Sequence, residues 1–197
     1  LTATEIPGGL RIELDRFERW ELDRDIPAGL GVPQALGENG GPGGLFHALR
    51  IIPGVVELAR VMAEVAPDAL MLNLTNPMSR ICQALADYSE VRTVGLCHEI
   101  AGGRETLARV LGVPDDQLRV EAAGVNHFTW FTAVEDSGGR DLYPALRAAY
   151  REQPGAHVTN DRLLTGDLLR VGDVHSVTND SHAGEYLRFG HAPRCRW

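Results

Sequence analysis

Lysine is absent from this sequence of 197 residues, in which all 19 basic side chains are arginine. Taking the chain as the functional unit, no amine is on hand for a Schiff base or for the phosphate contact of a P-loop. Long apolar runs are missing as well, which excludes a helical integral membrane protein. Positive charge is outnumbered: 19 Arg face 27 Asp and Glu, a formal −8 that argues against nucleic-acid or membrane-surface partners. Cysteine is sparse, and Cys82, Cys97 and Cys195 are odd in number and widely spaced. They make neither a disulfide framework nor a CxxC zinc pair, so free thiols in a cytosolic, reducing compartment are expected. No secretory pattern precedes the fold, the chain starts at Leu1 rather than Met, and it stops at Arg194-Cys195-Arg196-Trp197 without a closing helix. It reads as an internal piece of a longer protein. What is present, 44% hydrophobic and 23% charged residues, suits a globular chain of one domain or one and a half.

Residues 1–30 mix short apolar runs with charge, and Ile6-Pro7-Gly8-Gly9 reads as a strand end and turn. The glycine-dense stretch Gly37 to Gly44 leads into LFHALRIIPGVVELARVMAEVAP, which is apolar at helical spacing. Pro53 is expected to kink or divide that helix and Pro67-Asp68 to end it. Ala69 to Thr75 is expected as a buried parallel strand, stopped by Asn76-Pro77 before a helix over Met78 to Tyr88. A second buried strand, Val91 to Leu96, runs into Cys97-His98 and a helix from Ile100 to Leu111, with Leu107, Val110 and Leu111 on one face. This alternation predicts an α/β parallel sheet whose ligands gather at the C-terminal ends of its strands. From Leu118 the pattern changes. Leu118 to Val134 is β-branched and aromatic, expected as one or two strands bending at Gly124, with a hairpin-like turn at Asp136 to Gly139. Helices over about 141–151 and 160–171 precede a loop rich in His and Asp at 173–186. The shift puts a boundary between a sheet-bearing region, 1–117, and an α+β region, 118–197.

Four constellations could carry chemistry. Asn73-Leu74-Thr75-Asn76-Pro77 places amides and a hydroxyl at a crevice mouth, although Asn-Pro also simply ends strands. Cys97-His98 ends the next strand and Asn126-His127 follows about thirty residues on; a thiolate with an imidazole suits a divalent transition ion and leaves positions open for substrate oxygens. Buried structural Cys and His give the same spacing. Asp180-Ser181-His182 with Glu185-Tyr186 offers carboxylate, imidazole and phenol within seven residues, as polar loops also do by chance. Gly40-Gly41-Pro42-Gly43-Gly44 opens a helix and could cradle an anion, but it is not the GxGxxG dinucleotide fingerprint. His47, His157, His175 and His191 have no evident partner in sequence and read as surface or packing residues.

The order GPGGLFHALRIIP, NLTNPM, VGLCHE, GVNHFTWF, DSHAGEYL resembles the family 4 glycoside hydrolases, from about Gly8 to Tyr186. The resemblance implies a partial Rossmann-like sheet, as in lactate and malate dehydrogenases, followed by the start of an α+β substrate- and metal-binding domain. It also implies NAD and Mn²⁺ or another divalent ion as cofactors. In such an enzyme a hydride leaves sugar C3, the C2 proton is abstracted, the C1 substituent is eliminated, and water and hydride are returned. By resemblance Cys97 and His127 hold the metal, Asn76, Arg50 and Asn126 meet the substrate, and Asn73, Gly43 and Gly44 meet the cofactor. Either Tyr186 or Asp180 is the base at C2, and His98 is the candidate acid at C1. His98 after the cysteine, where phospho-glycosidases carry Asp or Asn, points to unphosphorylated α-glucosides, α-galactosides or α-uronides; Arg50 and Arg80 lie nearest the motifs for a substrate carboxylate. A small carbohydrate substrate and a homo-oligomer, dimer or tetramer, are the implied partners. The competing readings are a 2-hydroxy-acid dehydrogenase of the same superfamily and a non-catalytic fragment.

Overall fold

A computed structural model describes residues 2–6, 9–13, 17–152 and 163–187. Pro7, Gly8, His157, His191 and Cys195 lie outside the described residues. The chain divides between Leu96 and Cys97 into two compact units.

In the first unit, β1 (Thr2–Ile6) and β2 (Gly9–Glu13) pair antiparallel, with Ile6 opposite Gly9, and α1 (Phe17–Gly29) follows. The glycine-dense stretch opens α2 (Gly41–Val65), whose first turn carries a proline where the missing N–H costs nothing. Pro53 does not divide this helix; it sits on the exposed face, and the ladder continues through it to Val65. Apolar residues at helical spacing bury Ile51, Val55, Val56 and Ala59 against Ile81, Ala84 and Leu85 of α3 (Met78–Tyr88). Strands β3 (Leu70–Asn73) and β4 (Arg92–Gly95) lie parallel, Leu72 opposite Val94. The expectation that both are buried is corrected. Only one face is covered, where Met71 joins the helical core and Gly95 packs against Cys82 and Met78. The other face leaves Leu70 52%, Leu72 54% and Val94 43% exposed. An apolar run signals a strand, but burial of both faces needs a layer on each side.

The second unit begins with α4 (Glu99–Leu111), ended by Gly112 in the left-handed conformation. A 3₁₀ turn at Asp115–Gln117 leads into β5 (Leu118–Val125), β6 (Phe128–Asp136), α5 (Tyr143–Glu152), α6 (Leu163–Gly172), β7 (His175–Ser176) and α7 (Asp180–Tyr186). The sheet order is β5-β6-β7, all antiparallel. Leu107 and Val110 pack against Leu118, Phe131, Val134, Leu146 and Leu169, making one core. His175, completely buried, donates from Nδ1 to the Ser176 carbonyl at 2.6 Å and is hydrogen-bonded at Nε2 to the Tyr150 hydroxyl at 2.8 Å.

The chain reverses at Asn126-His127, not at Gly124. Val125 faces Phe128 across a two-residue turn whose second residue, His127, has φ 62°. Gly124 stays in the ladder at φ 148°, where a Cβ would stand 2.4 Å from the Phe128 carbonyl oxygen. Both the dihedral and the close approach require glycine. Gly124→Ala is expected to cost about 1–3 kcal/mol, read as a lower denaturant midpoint with an unchanged m-value.

Candidate metal centre and its surroundings

Cys97 lies one residue before His98, the N-cap of α4, and Glu99 is the first residue of that helix, so their closeness in sequence brings the two side chains to one helix end. The β5–β6 reversal brings the third group. His127, only 2% exposed, is held in the left-handed turn by sheet pairing on both sides. One ligand atom each from Cys97, Glu99 and His127 lies within 4.8 Å of the other two. Non-glycine residues at positive φ are costly and gather at functional sites.

The thiol of Cys97 is surrounded by donors: the backbone N–H groups of His98 and Glu99 and the side chain of Asn126. Partial burial nevertheless outweighs them and pushes its pKa above the ordinary thiol value, helped by the neighbouring Glu99 carboxylate. The thiol is therefore protonated at neutral pH until a cation displaces the proton. Asn126, expected to meet substrate, spends its side chain on this sulfur.

His182 of α7 lies over His127, ring centroids 4.0 Å apart. Burial, then His127 and His98, lower its pKa to about 3, so it is neutral at physiological pH. Its Nδ1 is buried without a hydrogen-bond partner among the described residues. Thiol, carboxylate and imidazole donors beside an orphaned imidazole nitrogen fit a divalent transition ion.

The other expected residues of this unit fall around that centre with unequal freedom. His98 is the N-cap residue of α4, exposed and making no side-chain cap. Tyr186 donates its hydroxyl to the Asn126 carbonyl at 3.0 Å and stacks on Phe128, centroids 5.1 Å apart. Asp180 is buried, and both carboxyl oxygens accept: Oδ2 from the Leu164 N–H at 2.6 Å, Oδ1 from the Thr165 N–H at 2.8 Å and the Thr165 hydroxyl at 3.0 Å. The two N–H groups are orphan donors of the α6 N-terminus, so Asp180 caps a helix.

In the first unit, Asn73 is buried and its amide closes an Asx turn: Oδ1 accepts from the Thr75 N–H at 3.1 Å and Nδ2 donates to the Thr75 carbonyl at 3.2 Å. Asn76 precedes a cis peptide bond to Pro77 and donates to Glu38 Oε1 at 3.0 Å. The Gly43 N–H is engaged by Gln34 Oε1 at 2.7 Å and the Gly44 N–H by the Gly40 carbonyl at 3.1 Å. A Cβ at Gly43 would reach the Gly37 carbonyl oxygen at 2.6 Å, and one at Gly44 the Asn39 carbonyl carbon at 2.8 Å, so loop packing by itself explains both glycines. Arg50 grips Asp23 with both terminal guanidinium nitrogens, Nη1 at 3.1 Å. A cavity of about 430 Å³ lies along α2, lined by Gly40, Gly41, Gly44, Leu45, Leu49 and Arg80 among others.

Sequence reasoning did not single out Glu99 or Thr178, and named His182 only within the 180–186 constellation, without a specific role. Thr178, buried, donates its hydroxyl to Glu99 Oε1 from 79 residues away. A carboxylate two residues after a candidate ligand cysteine was the available signal for Glu99.

Comparison with known proteins bears on the whole arrangement. The model of the family 4 glycosyl hydrolases matches residues 10–113, and that of their C-terminal domain matches residues 122–189. An α-glucosidase of Erwinia rhapontici is 37% identical over 88% of this chain and 46% of its own length. An α-galacturonidase of Thermoanaerobacterium saccharolyticum is 36% identical over 87% of this chain and 41% of its own. The crystal structure of lplD from Bacillus subtilis, assigned as a glucosidase, superimposes with TM-score 0.80 at 26% identity, covering 94% of this chain and 48% of that one. This chain spans less than half the length of each of these relatives. On the two family matches and these relatives, the chain belongs to glycosyl hydrolase family 4.

Proposed function

We propose that this chain is the metal- and sugar-facing middle of a glycosidase that cleaves an α-linked glucoside, galactoside or galacturonide by oxidation at C3, deprotonation at C2 and elimination at C1. The observation that carries the reading is the meeting of Cys97, Glu99 and His127 in a family 4 chain. A solved 6-phospho-α-glucosidase from gut microorganisms in complex with NAD and Mn²⁺, 21% identical, has the same fold at TM-score 0.76. When bound, NAD⁺ supplies a hydride acceptor for C3, and a divalent ion such as Mn²⁺ supplies positive charge beside the C2 and C3 oxygens.

Cys97 and His127 hold the ion, and Asn126 aligns the sulfur. Tyr186, held near the metal ligands by donating its hydroxyl to the Asn126 carbonyl, takes the C2 proton as the phenolate, once its own proton has passed to solvent. His98 donates a proton to the departing C1 oxygen from the exposed helix end next to Cys97. Asn76 and Arg50 shape the substrate side of the first unit, the guanidinium being oriented by Asp23. Asn73, Gly43 and Gly44 have their polar groups engaged internally, so their part toward NAD is to fix loop shape. The described residues contain no glycine-rich strand–turn–helix for the pyrophosphate, and no proton or hydride step is assigned to these three. The family matches at 10–113 and 122–189 support a domain division at 117/118, before the start of the C-terminal domain, although α4 packs into the core of the second compact unit. No helix among the described residues is long and apolar enough to cross a membrane, and Cys82 and Cys97 are free thiols. The free thiols support a cytoplasmic setting, and the resemblance supports a dimer or tetramer.

The test is hydrolysis of aryl α-glucoside, α-galactoside and α-galacturonide by the intact enzyme under reducing conditions. Turnover is expected only with NAD⁺ and Mn²⁺ together and without net NADH. Stoichiometric NADH that needs no metal would establish the dehydrogenase reading instead.

A further inference from the structure

We propose that Glu99 is a third protein donor to the divalent ion and that Thr178 holds it in place, an inference resting on the reading of Cys97 and His127 as ligands. Three facts carry it. The carboxylate shares the 4.8 Å cluster with the sulfur and the imidazole. Glu99 occupies the first turn of α4, two residues after Cys97, so one donor sits on the helix end and the other on the residue that leads into its N-cap. The third is its partner: Thr178, 1% exposed, donates its hydroxyl to Glu99 Oε1 from the segment joining β7 to α7.

A glutamate serving only the helix dipole would need no buried hydroxyl trained on it. Ligating carboxylates, by contrast, are commonly hydrogen-bonded at one oxygen, which fixes the rotamer and leaves the other for the cation. Glu99 also alters the character of the site. Thiolate and imidazole alone make a soft set that favours zinc or copper, whereas a carboxylate oxygen moves the preference toward harder ions such as Mn²⁺. With two anionic donors, the loaded centre carries no net charge.

The experiment titrates Mn²⁺ into the metal-stripped chain and follows the electron paramagnetic resonance signal of free hexaaqua Mn²⁺. Glu99→Gln is expected to raise the Kd by about 100-fold and Thr178→Val by about 10-fold, each with the far-UV circular dichroism of the parent. Glu99→Asp should fall between parent and Glu99→Gln. In the Co²⁺-loaded chain the thiolate charge-transfer band should persist in Glu99→Gln, because Cys97 remains bound. A Glu99→Gln chain with the parent's Kd overturns the proposal while Cys97→Ser and His127→Asn still lose the ion. If those two variants also bind like the parent, or the parent does not bind, the Cys97/His127 reading falls with it. Should Glu99→Gln fail to fold, Thr178→Val decides: parent-like affinity there removes the positioning role.

Discussion

Cys97→Ser is expected to lower the Mn²⁺ affinity of the intact enzyme by at least two orders of magnitude and to take the metal-dependent rate with it. A serine hydroxyl at this position neither ionises at neutral pH nor offers a soft donor. Positive charge beside an oxygen that becomes anionic is worth several kcal/mol, so the loss of turnover should be on the order of 10³-fold at subsaturating metal. The pH behaviour separates a lost ligand from a damaged fold. Burial holds the Cys97 thiol above its ordinary pKa, so over the neutral range loading must expel a proton. The parent's apparent affinity therefore climbs with pH, by up to about tenfold per unit below the thiol's pKa, and the climb should vanish in Cys97→Ser. His127→Asn is the companion variant. Asparagine tolerates the left-handed φ of 62° and preserves the turn, so its loss of metal should come without a comparable loss of stability. Isothermal titration with Mn²⁺ from pH 6 to pH 9 reads all three. Parent-like affinity in Cys97→Ser at every pH would remove Cys97 from the ligand set.

The parts of this centre differ in how far the sequence alone discloses them. Cys97 at a strand's end and the Asn126-His127 pair are visible because each interrupts an apolar run with residues that have metal chemistry. The turn that delivers His127 is not. Leu118 to Val134 alternates without a break in composition, and one periodicity serves both strands of a hairpin, so the eye goes to Gly124. That glycine is needed for a close approach inside the ladder instead. The link from Thr178 to Glu99 is hidden for another reason. It depends on β7, a strand of two residues, His175–Ser176, pairing with the edge of β6. Two residues carry no period. The polar groups of the first unit show the reverse error, in which residue type suggests a ligand contact and local geometry uses it up. Asn73 satisfies its own turn and Gly43 answers Gln34. Short polar side chains at strand ends compete for nearby backbone groups before any ligand arrives.

The same competition decides between Asp180 and Tyr186 as the base at C2. Asp180→Ala is expected to destabilise the second unit by about 3 kcal/mol, since two backbone amides and a hydroxyl lose their acceptor in a buried setting. For a unit of this size that is a fall in Tm of roughly 10–15 °C. Asp180→Asn should be nearly as harmful, because the new amide group can present only one oxygen to donors that now use two. Tyr186→Phe behaves oppositely. The ring keeps its stacking on Phe128 and gives up one exposed hydrogen bond, so Tm should barely move, whereas kcat should fall by about 10²- to 10³-fold. A substrate deuterated at C2 supplies the deciding measurement. If the phenolate is the base, exchange of the C2 hydrogen with solvent stops in Tyr186→Phe even where binding is intact. If exchange continues there, and a folded Asp180→Asn enzyme binds substrate but cannot exchange, the carboxylate is the base. Its three hydrogen bonds would then have to open during turnover. A group that must unfasten a helix end to accept a proton is a poor general base, and that physical cost is the reason for assigning the role to Tyr186.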